Sequence, residues 1–108
     1  MSTWEFTEAS SWGDRPVARR ISDVRPRGRL VVTGTIVAVG TVKVGRSESF
    51  SCEVDDGTGT MTVIFVGRTH LPGIEVGAKC TVEGTARVEK GGVAVWNPLY
   101  RLEPLAAQ

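Results

Sequence analysis

Aromatic side chains are scarce in this chain: three tryptophans, three phenylalanines and one tyrosine among 108 residues. Few flat faces are therefore on offer for stacking against a ligand. Histidine is limited to His70, and the two cysteines, Cys52 and Cys80, lie far apart with no CxxC spacing. A clustered metal centre has no ligand set here. Each cysteine falls in an alternating run, beside Val54 or Val82, which reads as a small buried apolar residue in a reducing compartment. A disulfide would need Cα atoms within about 7 Å, which sequence does not reveal. No apolar run approaches the roughly 18 residues of a membrane span. The opening Met1-Ser2-Thr3-Trp4-Glu5 has no basic region followed by an apolar stretch, so no secretory signal is expected and a cytoplasmic location is the default.

Charge of one sign is also lacking. The net charge is +1, which argues against a strongly basic nucleic-acid coat. The distribution is uneven, however. Arg15, Arg19, Arg20, Arg25, Arg27 and Arg29 fall in one stretch opposed only by Asp14 and Asp23.

Catalysis finds little support. His70 is alone, and no serine has an evident base beside it. Alternation puts Glu53 and Asp55 on one face, next to Asp56, but a hairpin turn explains the acidic pair better than a metal site. Gly57-Thr58-Gly59 lacks the lysine and spacing of a phosphate loop. The expectation is a non-catalytic protein with no cofactor and no metal.

Glycine, by contrast, is plentiful, and two positions inform most. Val32-Thr33-Gly34-Thr35 and Val82-Glu83-Gly84-Thr85 are nearly the same phrase about fifty residues apart. A glycine inside a β-branched run loses packing and costs conformational entropy, so it marks a bulge or bend. Two long strands bent in mid-course are what a small closed barrel needs to turn its corners. The flanking segments do not match, so a shared mechanical task explains the echo better than duplication.

The chain length suits one domain. Residues 1–27 read as an arm, with Trp4 and Trp12 as anchors on the barrel or a partner site. Asp14 as N-cap, Pro16 in the first turn, and Val17, Ile21 and Val24 at helical spacing predict a short helix. Arg25-Pro26 stops it. Its arginines form either a solvated face or an anion-binding patch. Strands are expected over about 29–39, 47–55, 60–66, 78–88 and 93–96. Phe50, Cys52 and Val54 point inward on the second, and Cys80, Val82, Ala86 and Val88 on the fourth. Ser49, Ser51, Glu53, Thr62 and Ile64 are read as outward. Gly40 to Gly45 is expected as a loop or splayed hairpin, and Asp55-Asp56-Gly57-Thr58-Gly59 as a tight turn. Gly67 to Gly77 is expected to be turns, and Lys90-Gly91-Gly92 a hairpin. Asn97-Pro98 breaks the last strand, and Leu99 to Leu102 resumes an extended path. Residues 105–108 read as a frayed tail.

Val32-Thr33-Gly34-Thr35-Ile36-Val37, Asp55-Asp56-Gly57-Thr58-Gly59-Thr60-Met61, Gly77 through Gly84, and Asn97-Pro98-Leu99-Tyr100 occur in an order that resembles nucleic-acid-binding OB domains. The anticodon-binding type and the wedge of RecG-type helicases are examples. Gly67-Arg68 with Leu71-Pro72-Gly73-Ile74 is similar to small stand-alone OB proteins of actinobacteria. The resemblance implies an all-β, five-stranded OB-fold Greek-key barrel over residues 28–104. It also implies a site for single strands on the outer face of the second and third strands, between two hairpin loops.

Such a site wants cations for phosphates and aromatic faces for bases. The candidate cations are Lys43, Arg46, Arg68, Arg87 and Lys90, each of which could equally be an ordinary surface charge. Trp96 and Tyr100 are the candidate stacking residues, or else pack the barrel's end. Glu53 would repel phosphate. The expected function is weak binding of single-stranded DNA or RNA with little sequence preference, in DNA repair, recombination or RNA metabolism. The alternative is a protein-interaction adaptor on the same barrel, favoured by an exposed Ile64.

Overall fold

A computed structural model describes residues 17–89 and 92–104. This part of the chain is all-β, with seven strands in one sheet. In chain order they are β1 (Val17–Ala18), β2 (Arg29–Val44), β3 (Ser47–Asp55), β4 (Thr60–Phe65), β5 (Lys79–Glu89), β6 (Gly92–Trp96) and β7 (Leu99–Leu102). A single 3₁₀ turn covers Ile21–Asp23. No helix among the described residues is long and apolar enough to cross a membrane.

Two-residue alternation builds the interior, because successive side chains leave a strand on opposite faces. Leu30, Val32 and Ile36 come from β2, and Phe50, Cys52 and Val54 from β3. Met61, Val63 and Phe65 come from β4, Cys80, Val82 and Ala86 from β5, and Val95 from β6. Leu71 and Ile74 add two more from the connection after β4, which is made of turns.

Strand β2 changes partner in mid-course. Arg29–Thr35 pair antiparallel with β5, whereas Thr35–Val44 pair with β3. Gly34 precedes the changeover. A Cβ there would stand 2.7 Å from both the Asp55 carbonyl oxygen and Val54 Cγ1. The ladder then slips between Ile36 and Ala38, leaving Val37 as a bulge. Gly84 is equally tight, with Val95 Cγ1 2.7 Å and Pro98 Cβ 3.3 Å from a virtual Cβ. Strand β4 pairs antiparallel with β3 and parallel with β6, and β6 pairs antiparallel with β5. The pairings thus lead from β2 through β3, β4, β6 and β5 back to β2. Beyond Asn97 and Pro98, β7 continues along β5.

Several expectations are corrected. Asp14, Pro16, Trp4, Trp12 and the tail lie outside the described residues. The described part of the supposed helix is instead β1, parallel to Arg29 and Leu30, followed by the 3₁₀ turn. Three apolar residues do little to offset the cost of nucleating a helix, and tertiary partners take the backbone hydrogen bonds instead. Asp56 Oδ2 accepts from Ile21 N at 2.9 Å, and Thr58 Oγ1 accepts from Ser22 N at 3.1 Å. Ile21 then enters the core. Of the loop or splayed hairpin expected over Gly40 to Gly45, the structure has a hairpin: Gly40 to Val44 is strand paired with Ser47 to Ser51, and only Gly45 (φ 60°) and Arg46 make the turn. Val88 is 50% exposed, because it pairs with Val93 near the tip of the β5–β6 hairpin rather than over the core.

Candidate nucleic-acid interface

The long β2–β3 hairpin carries the first group of cations. Lys43 stands across from Glu48, and Arg46 occupies the turn; both are exposed. Arg68 follows β4 in a turn closed by a bond from Arg68 N to Phe65 O. Gly67 N donates to Ser49 Oγ at 3.1 Å, and Ser49 pairs with Val42. Arg68 therefore belongs to the stem of the hairpin whose end carries Lys43 and Arg46.

The outer face of β3 and β4 is more polar and more closed than its sequence suggests. Glu53 is exposed there and lies across from Thr62. Ser49 is fully buried because the Gly67 turn folds onto its hydroxyl. Ile64, expected outside in solvent, is only 8% exposed. It stands in register with Trp96, and Asn97 N donates to its carbonyl at 2.7 Å. Asn97 Oδ1 accepts from Val66 N, which ties the two strand ends together.

A second group gathers on β5 and β6. The Arg87 guanidinium lies 4.7 Å from the Trp96 ring centre, a cation–π contact. Arg87 Nε also meets Glu89 Oε2 at 3.2 Å on the surface. Lys90 lies outside the described residues. Tyr100 does not join this group: it packs against the core, and its ring meets Phe65 edge-on at 5.3 Å.

Sequence reasoning passed over Arg29 and Glu83 as partners. Arg29 Nη2 meets Glu83 Oε2 at 3.0 Å, and Arg29 Nη1 donates to Thr85 Oγ1 at 3.1 Å. Beside them is a recess of about 410 Å³ that also reaches Arg87 and Trp96. The one available hint was a charged residue inside the Val82-Glu83-Gly84-Thr85 phrase, on the outward face.

Asp55 and Asp56 are engaged in the turn after β3. Asp55 Oδ1 accepts from Gly57 N, and Asp56 Oδ1 accepts from both Thr58 N and Thr58 Oγ1. Partial burial would raise the Asp56 carboxyl, but the hydrogen bonds from Thr58, Ile21 and Gly59 prevail and hold it below the usual carboxylate range. Burial pushes the Cys52 thiol up to about 12, with Cys80 and Glu53 adding to the effect. Cys80 rises to about 11 through burial and then Glu103. Both are free and buried.

The chain matches no model of a known protein family and no curated protein.

Proposed function

We propose that this chain is an OB-fold barrel that binds single-stranded DNA or RNA without catalysis, weakly and with little sequence preference. The return of the strand pairings to β2, with β4 and β6 parallel, supports the barrel. The observation that carries the function is the placement of Lys43, Arg46 and Arg68 on one hairpin and its stem. These cations would meet phosphates along the hairpin, while Arg87 and Trp96 offer a second contact. Stacking is limited because Arg87 already lies over the indole. Phosphate contacts then dominate, and such binding is sensitive to salt. Glu53 weakens it further. Single-strand handling in repair, recombination or RNA metabolism would suit these properties.

The second reading, a protein-interaction adaptor, is favoured by Val37, Val39 and Val42, each at least 38% exposed along the same hairpin. Charge reversal separates the two. Titration of a labelled single strand at low salt should show binding, and Lys43→Glu with Arg46→Glu should abolish it. No binding at about 100 μM, the weak end of non-specific affinity, would remove the nucleic-acid reading.

A further inference from the structure

Strand β2 has one edge that the rest of the sheet leaves open. Thr35 pairs with Lys79 on one side and with Asp55 on the other, so β5 and β3 lie along opposite edges. On the β5 side the pairing stops at Thr35, and the connection before β5 takes the next position. Ile36 N donates to Ala78 O, and Gly77 N donates to Ile36 O, both at 2.8 Å. Beyond Ile36, no strand among the described residues meets this edge. The bulge at Val37 comes next, and Ala38 to Val44 then runs regularly along β3.

An open edge carries a row of outward N–H and C=O groups at every second residue. Natural sheets blunt such edges with proline, with charge or with a cover. Ala38-Val39-Gly40-Thr41-Val42-Lys43-Val44 contains no proline and a single charge. Val39 is 44% exposed on one face and Val42 is 38% exposed on the other. A two-stranded ribbon is marginal by itself, and a third strand would steady it.

A row of backbone groups at strand spacing is matched by another strand, not by a nucleic acid. The slot beside Ala38–Val44 also has a closed end. There the chain turns through Glu75 to Ala78, with Ala78 N donating to Glu75 O at 3.0 Å. Glu75 and Val76 are both exposed on this turn, Val76 by 62%. An occupant that fills the slot must match its length, turn away sharply at the closed end, and bring a positive charge to Glu75. Strand β2 itself has all three properties. Its regular stretch has the length of the slot, and Gly45 and Arg46 make a tight turn directly after Val44.

We propose that this edge pairs antiparallel with the same edge of a second copy of the chain, about a two-fold axis at Thr41. Only an axis at the middle of Ala38–Val44 uses the whole slot. Thr41 then faces the partner's Thr41, and Gly40 faces the partner's Val42. Val39 faces the partner's Lys43, and Ala38 faces the partner's Val44. Opposed residues share a face, so the Lys43 stem covers the partner's Val39. Glu48, across from Lys43 on its own hairpin, offsets the charge. The two Lys43 side chains start about 14 Å apart along the strands, beyond the Debye length of roughly 10 Å. The partner's Gly45–Arg46 turn arrives at Glu75 and Val76. Strands β4, β3 and β2 continue into the partner's β2, β3 and β4 as one sheet. The pairing involves no nucleic acid, so it stands or falls separately from the function proposed above. An unrelated peptide strand would satisfy the backbone, but nothing in the fold supplies it with the matching length, turn and terminal cation.

Sedimentation velocity of the full chain without nucleic acid, from about 10 μM to about 1 mM, tests the pairing. One strand edge makes a small interface, so the dimer is weak and the sedimentation coefficient should rise across that range. Amide exchange at alternate residues of Ala38–Val44 should slow with it. A coefficient that stays monomeric at the upper concentration overturns the proposal. Val39→Lys changes an exposed position and sets like charges directly opposite at both symmetric places. It should weaken association about tenfold. Adding Lys43→Glu to that variant makes both pairs opposite in sign and should restore association. Glu75→Arg lies outside the strand and should also weaken association, because it meets the partner's Arg46. Self-association that is indifferent to Val39→Lys and to Glu75→Arg uses another surface, and overturns the proposal as well.

Discussion

Gly34 and Asp55 touch backbone to backbone: a Cβ on Gly34 would lie 2.7 Å from the Asp55 carbonyl oxygen. The contact falls where β2 leaves β5 and joins β3, so it permits the sharp bend that links the two halves of the sheet. At Gly84 the nearest obstacle is a side-chain methyl, Val95 Cγ1. A backbone carbonyl in a ladder yields less than a methyl. Gly34→Ala should therefore cost more than Gly84→Ala, about 3 kcal/mol against about 1–2 kcal/mol. Urea denaturation of the two variants measures the difference. Equal stability of Gly34→Ala and wild type would contradict the bend.

Asp56 is expected to govern acid stability. Its carboxylate accepts from Ile21 N and Thr58, and these bonds hold its folded pKa below the unfolded value. Glu103 is depressed in the same direction, first by the Thr81 hydroxyl, with burial opposing and Arg101 assisting. For a depressed carboxyl, the contribution is fully present above the unfolded pKa of about 4. It is lost as pH falls through the folded value. Asp56→Ala should cost about 1 kcal/mol near neutral pH, at the low end because the site is partly open to solvent. The gap to wild type should narrow as pH falls below the ordinary carboxylate value of about 4. Thermal midpoints measured across that range check the sign, and a gap that widens in acid would refute it.

The thiols should be silent in the folded protein. Burial raises Cys52 to about 12 and Cys80 to about 11, so neither forms appreciable thiolate at mildly alkaline pH. A colorimetric thiol reagent should react with both only after denaturant is added. Prompt reaction of either in native conditions would mean that the core opens readily.

Much of the strand framework was legible because period-two alternation needs no long-range information. Phe50, Cys52 and Val54 reach the core as their spacing indicates, as do Cys80 and Val82. The N-terminal segment was misread because Val17, Ile21 and Val24 fit a helix as well as a strand followed by a 3₁₀ turn. The deciding partner, Asp56, lies 35 residues away from Ile21. Ile64 was misplaced for a similar reason: its own strand says outward, and only Trp96 and Asn97 of a distant segment close over that position. Val88 shows the converse, an inward parity at a place where the core has ended. Of the candidate site, Arg87 and Trp96 were each named, but their stacking was not foreseeable. The Arg29–Glu83 pair spans 54 residues, and no local pattern announces it.

The most direct test of the account is the salt dependence of single-strand binding. Three cations on the hairpin and its stem, Lys43, Arg46 and Arg68, should release counterions from the strand. For single strands each neutralised phosphate contributes about −0.7 to the slope of log K against log salt concentration, so a slope of about −2 is predicted. Lys43→Glu with Arg46→Glu should abolish binding altogether. Affinity that is independent of salt, or undetectable at low salt in the unaltered protein, would contradict the account.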